Sequence, residues 1–183
     1  MPNLTKDDLL LRRDFETNRD ALREQIQSLL QKRRYLLGPS LIVSFFNRDM
    51  AKYRLEQLLW AERISDESIL DDYLNSFNQL IPGDSDFVAE ILLKFEQKTE
   101  IQTTLEQFKN LEQSRSLFLS SDTHDNVYPE YLPKKNSSTA HCVYYVRFHL
   151  SDKNKEALSN QNLSLVIDRD PYNYQVQLDA ELL

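Results

Sequence analysis

Helical periodicity clusters in the first half of this chain and never settles into regular alternation with strands. That segregation argues for an α+β fold, N-terminal helices packed on a mainly antiparallel β-sheet, over a doubly wound one. A helix is expected from Thr5, capped through Asp8, to about Tyr35, with a break near 12–14. Leu22, Ile26, Leu29 and Leu30 form its buried stripe. Gly38-Pro39 is read as its end, glycine as the C-terminal cap and proline as the residue that cannot continue the ladder. Leu41 to Phe46 reads as a buried strand. Asn47-Arg48-Asp49 then turns the chain into a helix over about 50–63, and Ser65 or Asp66 caps the next. The stripe of that second helix, Ile69, Leu70, Tyr73, Leu74, Phe77 and Leu80, is the clearest helical period present.

Alternation over 86–96 predicts a half-buried strand, with Phe87, Ala89, Ile91 and Leu93 on one face. A helix over about 98–113, a strand near 116–119 and a polar loop over 121–139 with one edge strand at 126–128 follow. His141 to Leu150 is the most informative strand. Cys142, Tyr144, Val146, Phe148 and Leu150 point one way; His141, Val143, Tyr145, Arg147 and His149 point the other. A short helix from about Asp152, a strand at 163–167 and an Asp170-Pro171 turn complete the pattern. With no repeat and no long linker, residues 1–183 are expected to form a single α+β domain.

Only two glycines, Gly38 and Gly83, occur in the chain. A loop that cradles phosphate needs several, so neither a P-loop nor a dinucleotide fingerprint can be written here. A Gly-x-Ser-x-Gly nucleophile elbow is likewise absent. The net charge of −7 repels phosphate backbones, so no nucleic acid is expected as a partner. The basic runs Arg12-Arg13 and Lys32-Arg33-Arg34 read as a solvated helix face, with RNA contact the least favoured use. The lone Cys142 forms no internal disulfide and no thiolate cluster. The N-terminal residues are polar and acidic, unlike a leader, and no apolar run approaches the ~20 residues of a membrane helix. A cytoplasmic protein with no membrane contact is expected.

His124, within Asp122-Thr123-His124-Asp125, offers metal ligands, but acidic loops produce such clusters by chance. No metal and no other cofactor is expected. His141 and His149 share a strand face eight residues apart, too far for one ion. Tyr145, Arg147 and His149 carry more chemistry, spaced roughly 7 Å apart along their face. In a cleft they would converge phenol, guanidinium and imidazole on an anion. Facing solvent, Arg147 would pair with a neighbouring carboxylate. Arg48, at the strand-to-helix turn, carries the same two readings, ligand grip or ion-pair partner. The candidate ligand-binding residues are therefore Arg48, Tyr145, Arg147 and His149, and no catalytic residue is assigned. Glu62-Arg63 reads as structural ion pairing, and Trp60, Tyr73 and Phe77 as core.

Five segments occur in order across nearly the whole chain: Lys32-Arg33-Arg34-Tyr35-Leu36-Leu37-Gly38-Pro39, Phe45-Phe46-Asn47-Arg48-Asp49, Ala61-Glu62-Arg63, Phe77-Asn78-Gln79-Leu80-Ile81-Pro82 and Tyr145-Val146-Arg147-Phe148. Together they resemble a bacterial family known only as a domain of unknown function. The resemblance implies one domain in a bacterial cytosol, with no established activity and genes often near those for rubrerythrin-like and iron–sulfur oxidoreductase proteins. It also expects glutamate where Phe46 and Gln57 stand, arginine at Trp60, glutamate near Lys94, and Gln or His at Tyr144. Those departures, with the missing catalytic motifs, lean against an enzyme. The leading expectation is a non-enzymatic accessory or interaction protein linked to redox or peroxide-stress metabolism, its partner a redox protein encoded nearby. The alternative is a small anionic-ligand-binding domain, or a minor enzyme, using the Arg/Tyr/His strand face. Exposed edges of an open antiparallel sheet leave a homodimer open.

Overall fold

The computed structural model describes residues 1–64, 66–122, 124–133 and 142–182. Its first helix, α1 (Arg12–Arg33), runs directly into strand β1 (Arg34–Leu37), so the helix ends earlier than its period suggests. Thr5 and Asp8 do form a capping arrangement, the Thr5 amide donating to the Asp8 carboxylate at 2.8 Å, but it closes only a 3₁₀ turn over Lys6–Asp8. Gly38 is not a helix cap. It opens the turn from β1 into β2 (Leu41–Phe45) at φ +72°, a conformation that favours glycine. Space demands glycine as well, because a Cβ there would stand 2.6 Å from the Tyr172 hydroxyl. Tyr172 in turn stitches the hairpin, donating to the Leu37 carbonyl at 2.6 Å and accepting from the Ser40 amide at 2.8 Å.

Two capped helices follow, α2 (Arg48–Glu62) and α3 (Glu67–Asn78), with Asn47 accepting from the Met50 amide and Asp66 from that of Ser68. The remaining elements are β3 (Asp86–Leu93), α4 (Ile101–Gln107), β4 (Leu117–Ser121), β5 (His124–Val127), β6 (Glu130–Tyr131), β7 (Val143–His149), α5 (Asp152–Ser159), β8 (Leu163–Arg169) and β9 (Tyr172–Gln177). The helix expected over 98–113 is broken: α4 lies between two 3₁₀ turns, and Asn110 takes a left-handed φ of +57°.

The strands form two sheets, ordered β1-β2-β3-β7-β6 and β5-β4-β8-β9. Every pairing is antiparallel. The fold is α+β, with N-terminal helices against an antiparallel sheet. The second sheet covers the opposite face of the first. Phe87, Ala89, Ile91, Val146 and Phe148 share one core with Leu117, Leu119, Leu165 and Ile167. On the other side Phe46 and Val88 pack with Met50, Leu55, Leu74 and Leu80 of the helical layer. The central strand β3 is therefore covered on both faces rather than half-buried, which is why its sequence is nearly continuous apolar residue. Glu90, only 8% exposed, interrupts that run, and a carboxylate in such a place needs partners.

Lys32-Arg33-Arg34 is not a uniformly solvated face. Lys32 pairs with Glu181 at 2.8 Å, and Arg33 donates to the carbonyls of Phe46 and Leu182. Among the described residues no helix is long and apolar enough to cross a membrane.

Candidate functional site

Register places Glu90 of β3 beside Ser44 of β2 and Tyr145 of β7, all on the helix-covered face. From α2, Arg54 reaches down to the carboxylate with one nitrogen, Nη2, at 2.7 and 3.0 Å from its two oxygens. Tyr145 donates its hydroxyl to the same group at 3.3 Å. Burial, then the Glu90 charge, pushes the Tyr145 phenol up to about 12, so it keeps its proton at neutral pH. Burial alone would lower the Arg54 guanidinium, but the attraction of Glu90 outweighs it and the pKa is raised. The other guanidinium nitrogens of Arg54 have no hydrogen-bond partner among the described residues, and its side chain is half exposed.

Arg54 borders a cleft of about 410 Å³ between α1 and α2, open over β1–β3. Arg19, Arg23, Ile26, Gln27 and Leu30 line it from α1, a spacing that sets them on one helical face. β1 adds Arg34 and β2 adds Ser44. Four arginines thus border a cleft in which Glu90 is the one carboxylate among the described lining residues. Arg34 donates to the Ser44 hydroxyl at 3.4 Å, and the Arg19 guanidinium lies 4.5 Å over the Trp60 ring. Among the described residues neither of these nor Arg23 has an acidic partner.

Arg54, Gln57 and Glu90 also line a second cavity of about 800 Å³, whose wall is mainly Leu58, Trp60, Tyr73, Phe77, Leu80, Leu132 and Tyr145. Trp60, Tyr73 and Phe77 are thus half-buried: Tyr73 and Phe77 pack against the helical-layer core and Trp60 against Phe15, while all three also line the cavity. The helical period told which face turns inward, not whether the next layer fills the space beneath it. Glu62, expected in an ion pair, accepts the Tyr73 hydroxyl at 3.0 Å. Phe46, Gln57 and Trp60, where the resemblance expects charged groups, line these two cavities; Lys94 and Tyr144 do not.

Of the four residues singled out from sequence, Tyr145 alone lies in these linings. Arg147 and His149 share its strand face but converge on Asp86, at 2.7 and 2.8 Å. Arg147 also donates to the Gln79 carbonyl at 2.7 Å, and the far ring nitrogen of His149 lies 3.3 Å from Glu130. Burial would raise the Asp86 carboxyl, but its bonds from His149 and Arg147 hold it below the ordinary range. The bonds to Asp86 and then Glu130 raise the His149 imidazole. Because those carboxylates occupy opposite ring nitrogens, no single point brings all three groups onto one metal ion. Arg48 anchors the N-terminal segment instead, bonding Asp8 at 2.7 Å and the Pro2 carbonyl at 3.1 Å. That guanidinium, then the Thr5 amide, holds the Asp8 carboxyl down to about 2. His141, Thr123 and the His124 side chain lie outside the described residues. Among those described, no cluster of three His, Cys, Asp or Glu groups is arranged to hold a metal ion.

Sequence reading missed Arg19, Arg23, Arg54 and Glu90, and took Arg34 only as part of the basic run 32–34. Two signals were present: arginines four apart on the stripe that carries Ile26 and Leu30, and the lone carboxylate inside the apolar run 87–93.

The crystal structure of a novel protein of unknown function from Burkholderia pseudomallei shares this fold, with a TM-score of 0.86 and 24% identity over 99% of this chain and 95% of that one. No curated protein matches the chain. The family model described as "Protein of unknown function (DUF3501)" matches residues 3–183, and the chain belongs to that family.

Proposed function

We propose that the protein binds a small anion in the cleft between α1 and α2, without transforming it. The observation that carries this reading is that Arg19, Arg23, Arg34 and Arg54 all border a cleft in which Glu90 is the one carboxylate among the described lining residues, in a chain of net charge −7. Arg19, Arg23 and Arg34 have no acidic partner among the described residues, so their charges repel one another and that of Arg54, and an anion among them relieves that repulsion. Their planar donor forks suit carboxylate and phosphate oxygens. Glu90 and Tyr145 support the reading by holding Arg54 in place while leaving its other nitrogens to a ligand. The reading keeps the anion-binding alternative and moves its centre from Arg147 and His149 to the helix-covered end of the sheet. Binding without turnover also suits the accessory role in redox or peroxide-stress metabolism that the resemblance implies.

The test is thermal unfolding with inorganic phosphate, sulfate and citrate at constant ionic strength. A ligand that binds only the native state raises the midpoint in proportion to RT ln(1 + [L]/Kd). At least one anion is expected to raise it by several degrees at millimolar concentration, and the shift should vanish in an Arg23→Ala/Arg34→Ala variant. Equal shifts in both proteins, or none in either, would contradict the reading.

A further inference from the structure

The cationic cleft does not end at Arg54. Arg54, Gln57 and Glu90 line both the cleft and the apolar cavity, so the two spaces meet at the Arg54–Glu90 pair. Resting on the anion-binding reading above, we infer that the ligand is amphipathic: an organic acid whose charged head meets the arginines and whose aryl or medium-length alkyl body fills the cavity. An inorganic anion needs little more than its own coordination shell. The apolar cavity, at about 800 Å³, has the size of sites that hold whole small molecules, roughly 300–1,000 Å³. Its wall is the kind that such sites use, aromatic and aliphatic side chains with few polar groups: Leu58, Trp60, Tyr73, Phe77 and Leu132.

The charge is distributed to match. All four arginines belong to the cleft, and only Arg54 also borders the apolar space, at the junction. A head group held by the unengaged nitrogens of Arg54 would therefore stand between the two, with its body directed away from Arg23 and Arg34. Covering the apolar wall releases the water that hydrates it, a gain a bare anion cannot make.

Trp60 reports on both spaces, since it lines the cavity, carries the Arg19 guanidinium on its ring and is the only tryptophan. Its emission in the full-length protein can be followed against dodecanoate, neutral dodecanol and inorganic phosphate at one ionic strength and below micelle formation, with calorimetry as a second readout. Dodecanoate is expected to bind at least tenfold tighter than either phosphate or dodecanol. Phe77→Ser should weaken dodecanoate at least fivefold while leaving phosphate unchanged, and Arg23→Ala should weaken both. Phosphate binding as tightly as dodecanoate would overturn the amphipathic inference and leave simple anion binding standing. Dodecanol binding as tightly as dodecanoate would overturn it too, since the arginines would then take no part. If neither phosphate nor dodecanoate binds, both readings fall. The dodecanol comparison uses the unaltered protein, so the inference stays testable even where Phe77→Ser does not fold.

Discussion

Glu56 shows how a single buried charge can be read in both directions. It faces inward from α2, accepts the Leu10 amide at 2.8 Å, and among the described residues has only Lys52 as a cation, at 3.8 Å. Burial is the largest influence and raises its pKa above the ordinary carboxylate value. A carboxyl raised on folding favours the native state below its unfolded value, about 4.3, and that contribution is lost as pH rises through the folded value. Glu56→Gln keeps an acceptor for Leu10 without the charge. It is expected to melt at or above the wild-type temperature at pH 7, with the gap closing by pH 4. Glu56→Leu leaves the Leu10 amide unbonded and should lose about 1–3 kcal/mol, measured by denaturant unfolding. Gly38→Ala meets both a left-handed backbone and the Tyr172 hydroxyl, so equilibrium unfolding should show a loss of at least about 1–3 kcal/mol.

At the scale of elements, His149 ties the short strand β6 to its neighbours, bridging Glu130 on β6 and Asp86 on β3. Its pKa is raised, so the bridge contributes fully below the unfolded value near 6.5 and fades as pH rises through the higher folded value. Amide exchange at Glu130 and Leu132, whose N–H groups face β7, is therefore expected to accelerate as pH rises through that folded value by more than the intrinsic pH dependence. His149→Gln should remove that extra step while leaving exchange in β3 unchanged; a step of the same size in the variant would sink the idea. The β7 alternation that placed His149 was plain in the sequence because one face is fully buried between the sheets and the other only partly covered by the helical layer. β1 was not. Four residues continuing from a helix have no period of their own, and Gly38-Pro39 serves a hairpin turn as well as a helix end. Glu90 and Lys94 gave the β3 segment an alternating look that hid its second covered face, since an alternating core strand and a doubly covered one differ only in the residues between.

For the molecule as a whole, the three layers decide what the site can be. Helices on one face and a second sheet on the other leave Glu90 open to the cleft between α1 and α2, and Glu90 and Tyr145 open to the apolar cavity beside α2 and α3. The segregation of helical and strand patterns foretold the α+β layering, but not the second sheet, half of whose strands flank or lie in polar stretches. The candidate site was harder still. Arg19 and Arg23 come from α1, Arg34 from β1, Arg54 from α2 and Glu90 from β3, and only the packing of those elements brings them together. Arg147 and His149 look equally chemical in the sequence, yet their partner Asp86 lies directly across the β3–β7 ladder from His149 and satisfies both.

On the proposed reading the cleft arginines, and not Arg147 of β7 or the N-terminal anchor Arg48, bind the anion. Arginine side-chain NMR during a phosphate titration tests it most directly, because each Nε–Hε signal reports its own guanidinium. The account predicts saturable shifts at Arg23, Arg34 and Arg54 with one common dissociation constant, and still signals at Arg48 and Arg147. Shifts centred on Arg147, or equal small drifts at every arginine, would contradict it.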